Sequence, residues 1–290
     1  MPRNFNSGLI CLIGGGLIAF MFAAQPMLAA AQTVQPTVRT VGLLAAVGDQ
    51  FQYVRQKPSV GSNMDPYIRK IVSLPDQTLN KMVLRGMDRA VATQYPGAEI
   101  VMMMLTPDPP ELNILPQHRE AHTMERVRTL LQTRPGRENW DEIVVVTPKW
   151  LRAERDGMGA KLSGIGLYVQ PLASNRDMLD GGAGLMDDEI RDIGTHKQPR
   201  SSTYVAPYFY TQVTVLDAKT LRVIRTDARF DYRKMINSDS AAVDVAKSFT
   251  PEQLSAEIEK FVETAARRLL VDKDGSIEIG PVRTLPAPVK

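Results

Sequence analysis

Cysteine is almost absent from this chain. The single copy, Cys11, lies in an apolar amino-terminal stretch that reads as an export leader. The mature protein is therefore left without thiol redox chemistry or thiolate metal sites. Concentrated positive charge is missing too. The formal net charge is +3, with no long basic run, and nucleic-acid binding needs a basic stripe; no nucleic acid is expected as a partner. Beyond the leader there is no second long apolar run, so the rest should be soluble, touching a membrane only through an uncleaved leader. Nucleotide signatures are lacking as well. Neither Gly164-Ile165-Gly166 nor Gly182-Ala183-Gly184 bridges a strand and a helix as a dinucleotide fingerprint must, and there is no phosphate loop. No internal repeat is found.

What is present begins with the leader, residues 1–31. Arg3 supplies a positive start, Gly8 to Ala24 an apolar run, and Gln25-Pro26 a break. Ala29 and Ala31 place small residues at both positions that a signal peptidase reads, so the mature chain is expected to begin at Gln32. The run is about 17 residues, the short edge of what spans a bilayer. Three consecutive glycines, Gly14 to Gly16, weaken it further as a retained anchor. Cys11 sits mid-run rather than at the cleavage point, which argues against a lipoprotein. Cleavage places the protein in the periplasm or outside the cell. It also takes one positive charge, Arg3, from the formal total.

Residues 32–279 read as a single mixed α/β domain, followed by a flexible tail, 280–290, that carries three of the prolines. Thr40 to Ala46 reads as a buried strand and Gln50 to Gln56 as an alternating one. With Gly48-Asp49 between them, a hairpin is expected. Tyr67 to Leu74 adds a third extended segment. Asp76 is placed to cap a helix from Gln77 to Tyr95, with Leu79, Met82, Val83, Gly86, Ala90 and Val91 as its apolar stripe. Ala98 to Leu105, apolar on both faces, reads as an interior strand with Met102 to Met104 as core filler. A second helix runs from Gln117 to Thr133. Glu142 to Thr147 is the clearest buried strand, and Leu162 to Leu172 is extended. Ala173 to Ser202 reads as a long loop. Thr203 to Leu216 and Leu221 to Arg233 form a hairpin. Thr250-Pro251-Glu252-Gln253 gives the closing helix a capping box and a proline at its first position. The fold class expected is α/β: a mixed, partly parallel sheet with helices packed on it, ending in a β-hairpin and a closing helix.

The strand Ile143 to Val146, the turn Val-Leu-Asp-Ala-Lys-Thr-Leu-Arg-Val at Val215 to Val223 and the helix Leu254 to Leu270 together resemble two families. These are the curli-secretion-type envelope lipoproteins and the amino-terminal domain of TolB-like proteins, and the resemblance covers about half of the chain. What it implies is an envelope protein that works by binding or assembly. The chain departs from that pattern in its early hairpin, its long loop after Leu172 and its lack of a lipidated cysteine.

Three groups of residues are candidates for chemistry. His118, His122 and Glu125 fall within one arc of a helix, where they could share a divalent metal ion or serve as a solvated face. Glu120 does not complete the metalloprotease pattern, because it follows His118 by two positions. Tyr204, Tyr208, Phe209 and Tyr210 crowd one strand, and Pro207 points to an edge or bend, which would leave Tyr204, Tyr208 and Tyr210 open to a partner. The acidic stretch Asp177, Asp180, Asp187, Asp188, Glu189 and Asp192 has no window with calcium-loop spacing and reads as a solvated loop. Ser163 lacks the glycine that a nucleophile elbow needs two positions earlier. His196 has only Ser201 and Ser202 nearby in sequence. No resident cofactor is expected, a divalent ion at the histidines aside. The function expected is a non-enzymatic cell-envelope role with a protein partner. The alternative is a metal-dependent hydrolase built on His118, His122 and Glu125.

Overall fold

Runs of alternating or wholly apolar residues set the strands, and three amphipathic stripes set the helices that cover them. In the computed structural model, the described residues are 39–57, 65–108, 113–155, 158–171, 190–195 and 203–270, with backbone only over 153–155 and 158–160. They all belong to one compact unit. Residues 1–38, most of the 173–202 stretch and residues 271–290 lie outside them. Twelve strands are described: β1 (Thr40–Ala45), β2 (Gln50–Gln56), β3 (Tyr67–Ser73), β4 (Glu99–Met104), β5 (Glu142–Pro148), β6 (Ala153–Arg155), β7 (Met158–Leu162), β8 (Ile165–Gln170), β9 (Arg191–Asp192), β10 (Tyr204–Asp217), β11 (Val223–Tyr232) and β12 (Met235–Ile236). The helices are α1 (Thr78–Gln94), α2 (Pro116–Gln132) and α3 (Pro251–Arg268). The mixed, partly parallel sheet with helices on it is the architecture expected from the sequence.

The sheet is organised around the long strand β10. Val213 pairs with Val146 on one side and Asp227 on the other, while Phe209 pairs with Ile165 and Asp231. β5 and β8 therefore lie end to end on one edge of β10, with β11 on the opposite edge. Between them the chain leaves the sheet for the β6–β7 hairpin. Three backbone bonds close the joint: Tyr210 N–H to the Gly164 carbonyl, Lys149 N–H to the Tyr210 carbonyl and Gly164 N–H to the Lys149 carbonyl. β1 pairs in parallel with β5, and β2 in parallel with β8. The expected β1–β2 hairpin is thus not formed. Gly48, at φ 75°, bends the chain onward without reversing it, and β2 forms its hairpin with β3 instead. A glycine-aspartate pair signals a bend, but only partner strands decide its sense.

β4 pairs only with β1 and is an outer strand. This corrects the interior placement: Met103 is buried, whereas Met102 is exposed. β10, in contrast, is interior, flanked by β8 and β5 on one side and by β11 and β12 on the other. Pro207 is accommodated because its side of the strand faces the break between β11 and β12, where its carbonyl accepts from Arg233 N–H.

Odd-numbered residues of β10 join the core under α1 and α3, and even-numbered ones face the other side. On the first face Leu43, Val144, Val146 and Val213 meet Val83, Met87, Phe261 and Val262. Gly86 lets the two helices touch: a Cβ there would lie 2.4 Å from the Glu263 carbonyl and 2.6 Å from the Ala266 Cβ. Arg85 bonds Glu259 and Glu263 beside this crossing. On the second face α2 covers only the β4–β1–β5 wing, through Met124, Val127 and Leu131. Over β8 and β10 the same face carries an aromatic cluster of Tyr168, Tyr204, Tyr208 and Phe230.

α2 and α3 each begin with a proline, as its fixed φ allows, and α1 does not. Thr250 accepts from Gln253 N–H and Gln253 reciprocates, completing the expected box at α3. Asp76 is not the cap of α1; Asp76 and Gln77 both take positive φ, and Gln77 holds the cap position without a side-chain bond. No helix among the described residues is long and apolar enough to cross a membrane.

Candidate functional site

Three parallel strands, β4, β1 and β5, end side by side, and a crevice of about 420 Å³ opens beyond their carboxyl ends. Helix α1 lies between β1 and β4 in sequence, and α2 between β4 and β5, on opposite faces of the sheet. Such a place is where an open α/β sheet offers a ligand both backbone ends and side chains. Its floor comes from Ala46, Val47 and Leu105, and Thr123 and Arg126 of α2 form one wall. Ile71 and Ser73 of β3 form the facing wall, and Pro148 and Trp150 close the end.

Asn80 holds the floor in shape. It is fully buried on the first turn of α1. Its Oδ1 accepts from Val47 N–H at 2.9 Å, and its Nδ2 donates to the Leu105 carbonyl at 3.1 Å. One amide thereby ties the exits of β1 and β4 together. Sequence reasoning passed over Asn80; the available signal was a polar residue beside Leu79 in an otherwise apolar stripe. Trp150 is buried against the Arg119 guanidinium, which lies 5.1 Å from its ring centre. Lys149 reaches back to Glu120 at 2.7 Å and Gln212 at 2.9 Å, fixing the end of β5 to α2.

The charged groups at the mouth pair with one another. Asp108 Oδ2 lies 3.2 Å from His122 Nε2 and 3.7 Å from Arg126 Nε, and Arg126 also donates to the Thr106 carbonyl at 2.7 Å. Across the crevice Ser73 Oγ donates to Asp49 Oδ2 at 2.5 Å. The lining thus combines an aliphatic and tryptophan interior with two carboxylates and one guanidinium at its rim. Such a set can seat an apolar group and orient a polar one beside it.

His118 and Glu125 are exposed on α2, and His122 is half-buried. The three are not brought together: His122 turns to Asp108, and Glu125 lies 3.9 Å from Arg128. Among the described residues no group of three or more metal-ligating side chains converges. The tyrosines are placed differently from expectation. Tyr204, Tyr208 and Tyr210 are buried in the interior strand β10, so the open edge predicted there is corrected, because β11 and β12 occupy it. Burial pushes the Tyr208 hydroxyl well above its usual range. Ser163 donates to Gln52 at 3.2 Å. His196, Ser201, Ser202 and the acids Asp177 to Glu189 lie outside the described residues.

Asp192 departs from the solvated-loop expectation. It is buried, and burial alone would raise its pKa. Donors from Ser238 (hydroxyl and N–H), the Thr195 hydroxyl and Gly194 N–H outweigh that and hold the carboxyl far below the usual range. It pins the 190–195 segment, including β9, to the residues after β12. Asp244 is held low as well, its burial offset by Arg55 at 3.0 Å.

No family model matches this sequence, and no curated protein matches it. Among solved structures, similar chains include protein XCC0632 from Xanthomonas campestris, described with family model DUF330. It is 8% identical, covers 81% of this chain and 86% of its own, and has a TM-score of 0.32. The lipoprotein GNA1162 from Neisseria meningitidis is 7% identical, covers 76% of this chain and 96% of its own, and has a TM-score of 0.25. Neither is named as a curli-secretion or TolB-type protein. At such identities no residue of this chain inherits a role from either.

Proposed function

We propose that this chain is an exported, non-enzymatic binding protein of the bacterial cell envelope that engages a protein partner through the crevice at the ends of β4, β1 and β5. The observation that carries the reading is the crevice's makeup: an apolar interior, with rim polar groups each held by a partner of its own instead of converging on one point. Asp108 is taken by His122 and Arg126, and Asp49 by Ser73. Catalytic groups need a nucleophile, base and orienting partner in one reachable array; a binding surface needs only shape and a polar rim. Export is supported by the leader, with its positive start, apolar run and Ala29/Ala31 cleavage pattern.

The test uses the full chain, tagged at its carboxyl end and expressed in a Gram-negative host. Mass spectrometry of the purified protein is expected to find an extracytoplasmic product starting at Gln32. A photo-crosslinking residue at Thr106 should give a discrete adduct that Ser73→Trp, which fills the crevice mouth, removes. Untrimmed protein in the cytoplasm, or an adduct indifferent to Ser73→Trp, overturns the proposal.

A further inference from the structure

The edge strand β3 has more exposed large aliphatic residues than any other described strand. Ile68, Ile71 and Val72 are 40%, 53% and 46% exposed, and its only paired neighbour is β2. The direction of its backbone groups follows from the flanking bonds. Leu74 N–H donates to Asp49, and the Pro66 carbonyl accepts from Lys57; even-numbered residues therefore bond inward to β2. With no register shift along the ladder, the N–H and carbonyl groups of Arg69, Ile71 and Ser73 point outward from the sheet. An outward row of this kind is a template for another strand.

Two further observations say what the template fits. Ile71 and Ser73 belong both to this edge and to the crevice lining, so a strand laid along β3 lies beside the crevice, within reach of a side chain from its end. Lys70, between Ile68 and Val72 on the same side of the strand, is exposed and forms no ion pair among the described residues. The strand YIRKIVS holds two cations and no acid. Arg69 is taken by Asp65, so a second copy centred on Lys70 would set two unpaired lysines against each other, where like charges across strands destabilise. A segment with an acid facing Lys70 and aliphatics two positions away on either side complements it.

We propose that β3 accepts an extended, acidic–aliphatic peptide segment of the partner by strand addition, with the crevice receiving a side chain from the segment's end. This rests on the partner-binding reading and names how the partner is held. Main-chain bonds to Arg69, Ile71 and Ser73 supply attachment, and Lys70 and the crevice supply selectivity.

The probe is a fluorescent heptapeptide, Thr-Val-Thr-Glu-Thr-Val-Thr, whose symmetry makes it indifferent to strand direction. Binding to the mature protein is read by polarisation. N-methylation of alternate amides should abolish it. Ile71→Pro removes one outward donor while leaving the inward ladder to β2 intact, and should weaken binding about tenfold, the upper end for one hydrogen bond. Lys70→Glu should weaken it about fivefold and favour the central-lysine version of the probe. Where circular dichroism finds Ile71→Pro misfolded, the Lys70→Glu exchange decides. Binding indifferent to N-methylation and to Lys70→Glu overturns the proposal. So does a dimer that sedimentation detects in the parent and not in Ile71→Pro, which would make a second copy the occupant. If the Thr106 adduct persists unchanged in Ile71→Pro, strand addition fails while the partner-binding reading stands.

Discussion

The two wings that meet β10 end to end are built from similar strands but experience different surroundings. In the β4–β1–β5 wing the strands are parallel and lie between α1 and α2, so β1 and β5 are apolar at nearly every position. In the β3–β2–β8 wing only one face has helices packed on it among the described residues. There β2 alternates and β3 is exposed along most of its length. Both wings end in an edge strand, β4 and β3, but β3 exposes three large aliphatic residues where β4 exposes one. The crevice lies between them because neither wing's side chains fill the gap where β1 passes into β2.

Substitutions in the two wings should differ in cost. The largest effect is expected at the seam: a Cβ at Gly166 would sit 2.1 Å from the Gln52 carbonyl and 2.6 Å from the Tyr208 hydroxyl. Gly166→Val should cost about 4 kcal/mol or more in urea unfolding, separating β8 from β2. Next comes the contrast between wings. Leu43→Ala, at a fully buried site, should cost about 3 kcal/mol, and Val72→Ala on the exposed edge less than about 0.5 kcal/mol. Equal losses would erase the distinction.

Asn80→Leu should cost about 2 kcal/mol by stranding Val47 N–H and the Leu105 carbonyl. It should also slow or abolish the Thr106 crosslink, because the crevice floor loses its tie. Asp192→Asn should cost about 2 kcal/mol at neutral pH. The sign of its pH dependence follows from the lowered folded-state pKa. The carboxylate's contribution is fully present above the ordinary value of about 3.9 and is lost as pH falls through the folded value. Parent and variant should therefore differ by a constant amount above about pH 5 and converge in acid, as thermal melts across pH would detect. The smallest effect belongs to the histidines. His122→Ala breaks a half-exposed pair with Asp108 worth about 0.5 kcal/mol, and a chelator should leave the parent's melting temperature unchanged. Chelator-sensitive melting abolished by His118→Ala would revive the metal site.

Much of the fold was legible in residue patterns. The stripe Leu79, Met82, Val83, Ala90 and Val91, the capping box at Thr250 and the apolar run Ile143 to Val146 each point to one local structure, and each forms as expected. Their physics is short-ranged: a 3.6-residue period, a hydroxyl three residues from an amide, a side chain that avoids water. The candidate site was much less legible. Asp108 and Ser73, which line the crevice, and Asn80, which ties Val47 to Leu105 at its floor, carry no local motif; they come to one region only because β1, β3 and β4 end there. The tyrosines misled for the same reason, since Pro207 signals a missing donor without saying whether a neighbouring strand breaks opposite it.

Local order along the chain was enough for the three helices, for strands such as β5 and β10 and for the two-sided apolarity of β1 and β5, because these depend on neighbours along the backbone. Tertiary structure alone decided that Gly48-Asp49 continues instead of turning back, that β10 is interior while β3 and β4 are edges, and that a crevice remains between two wings. Strand pairing joins residues distant in sequence, and no local preference specifies which partner wins.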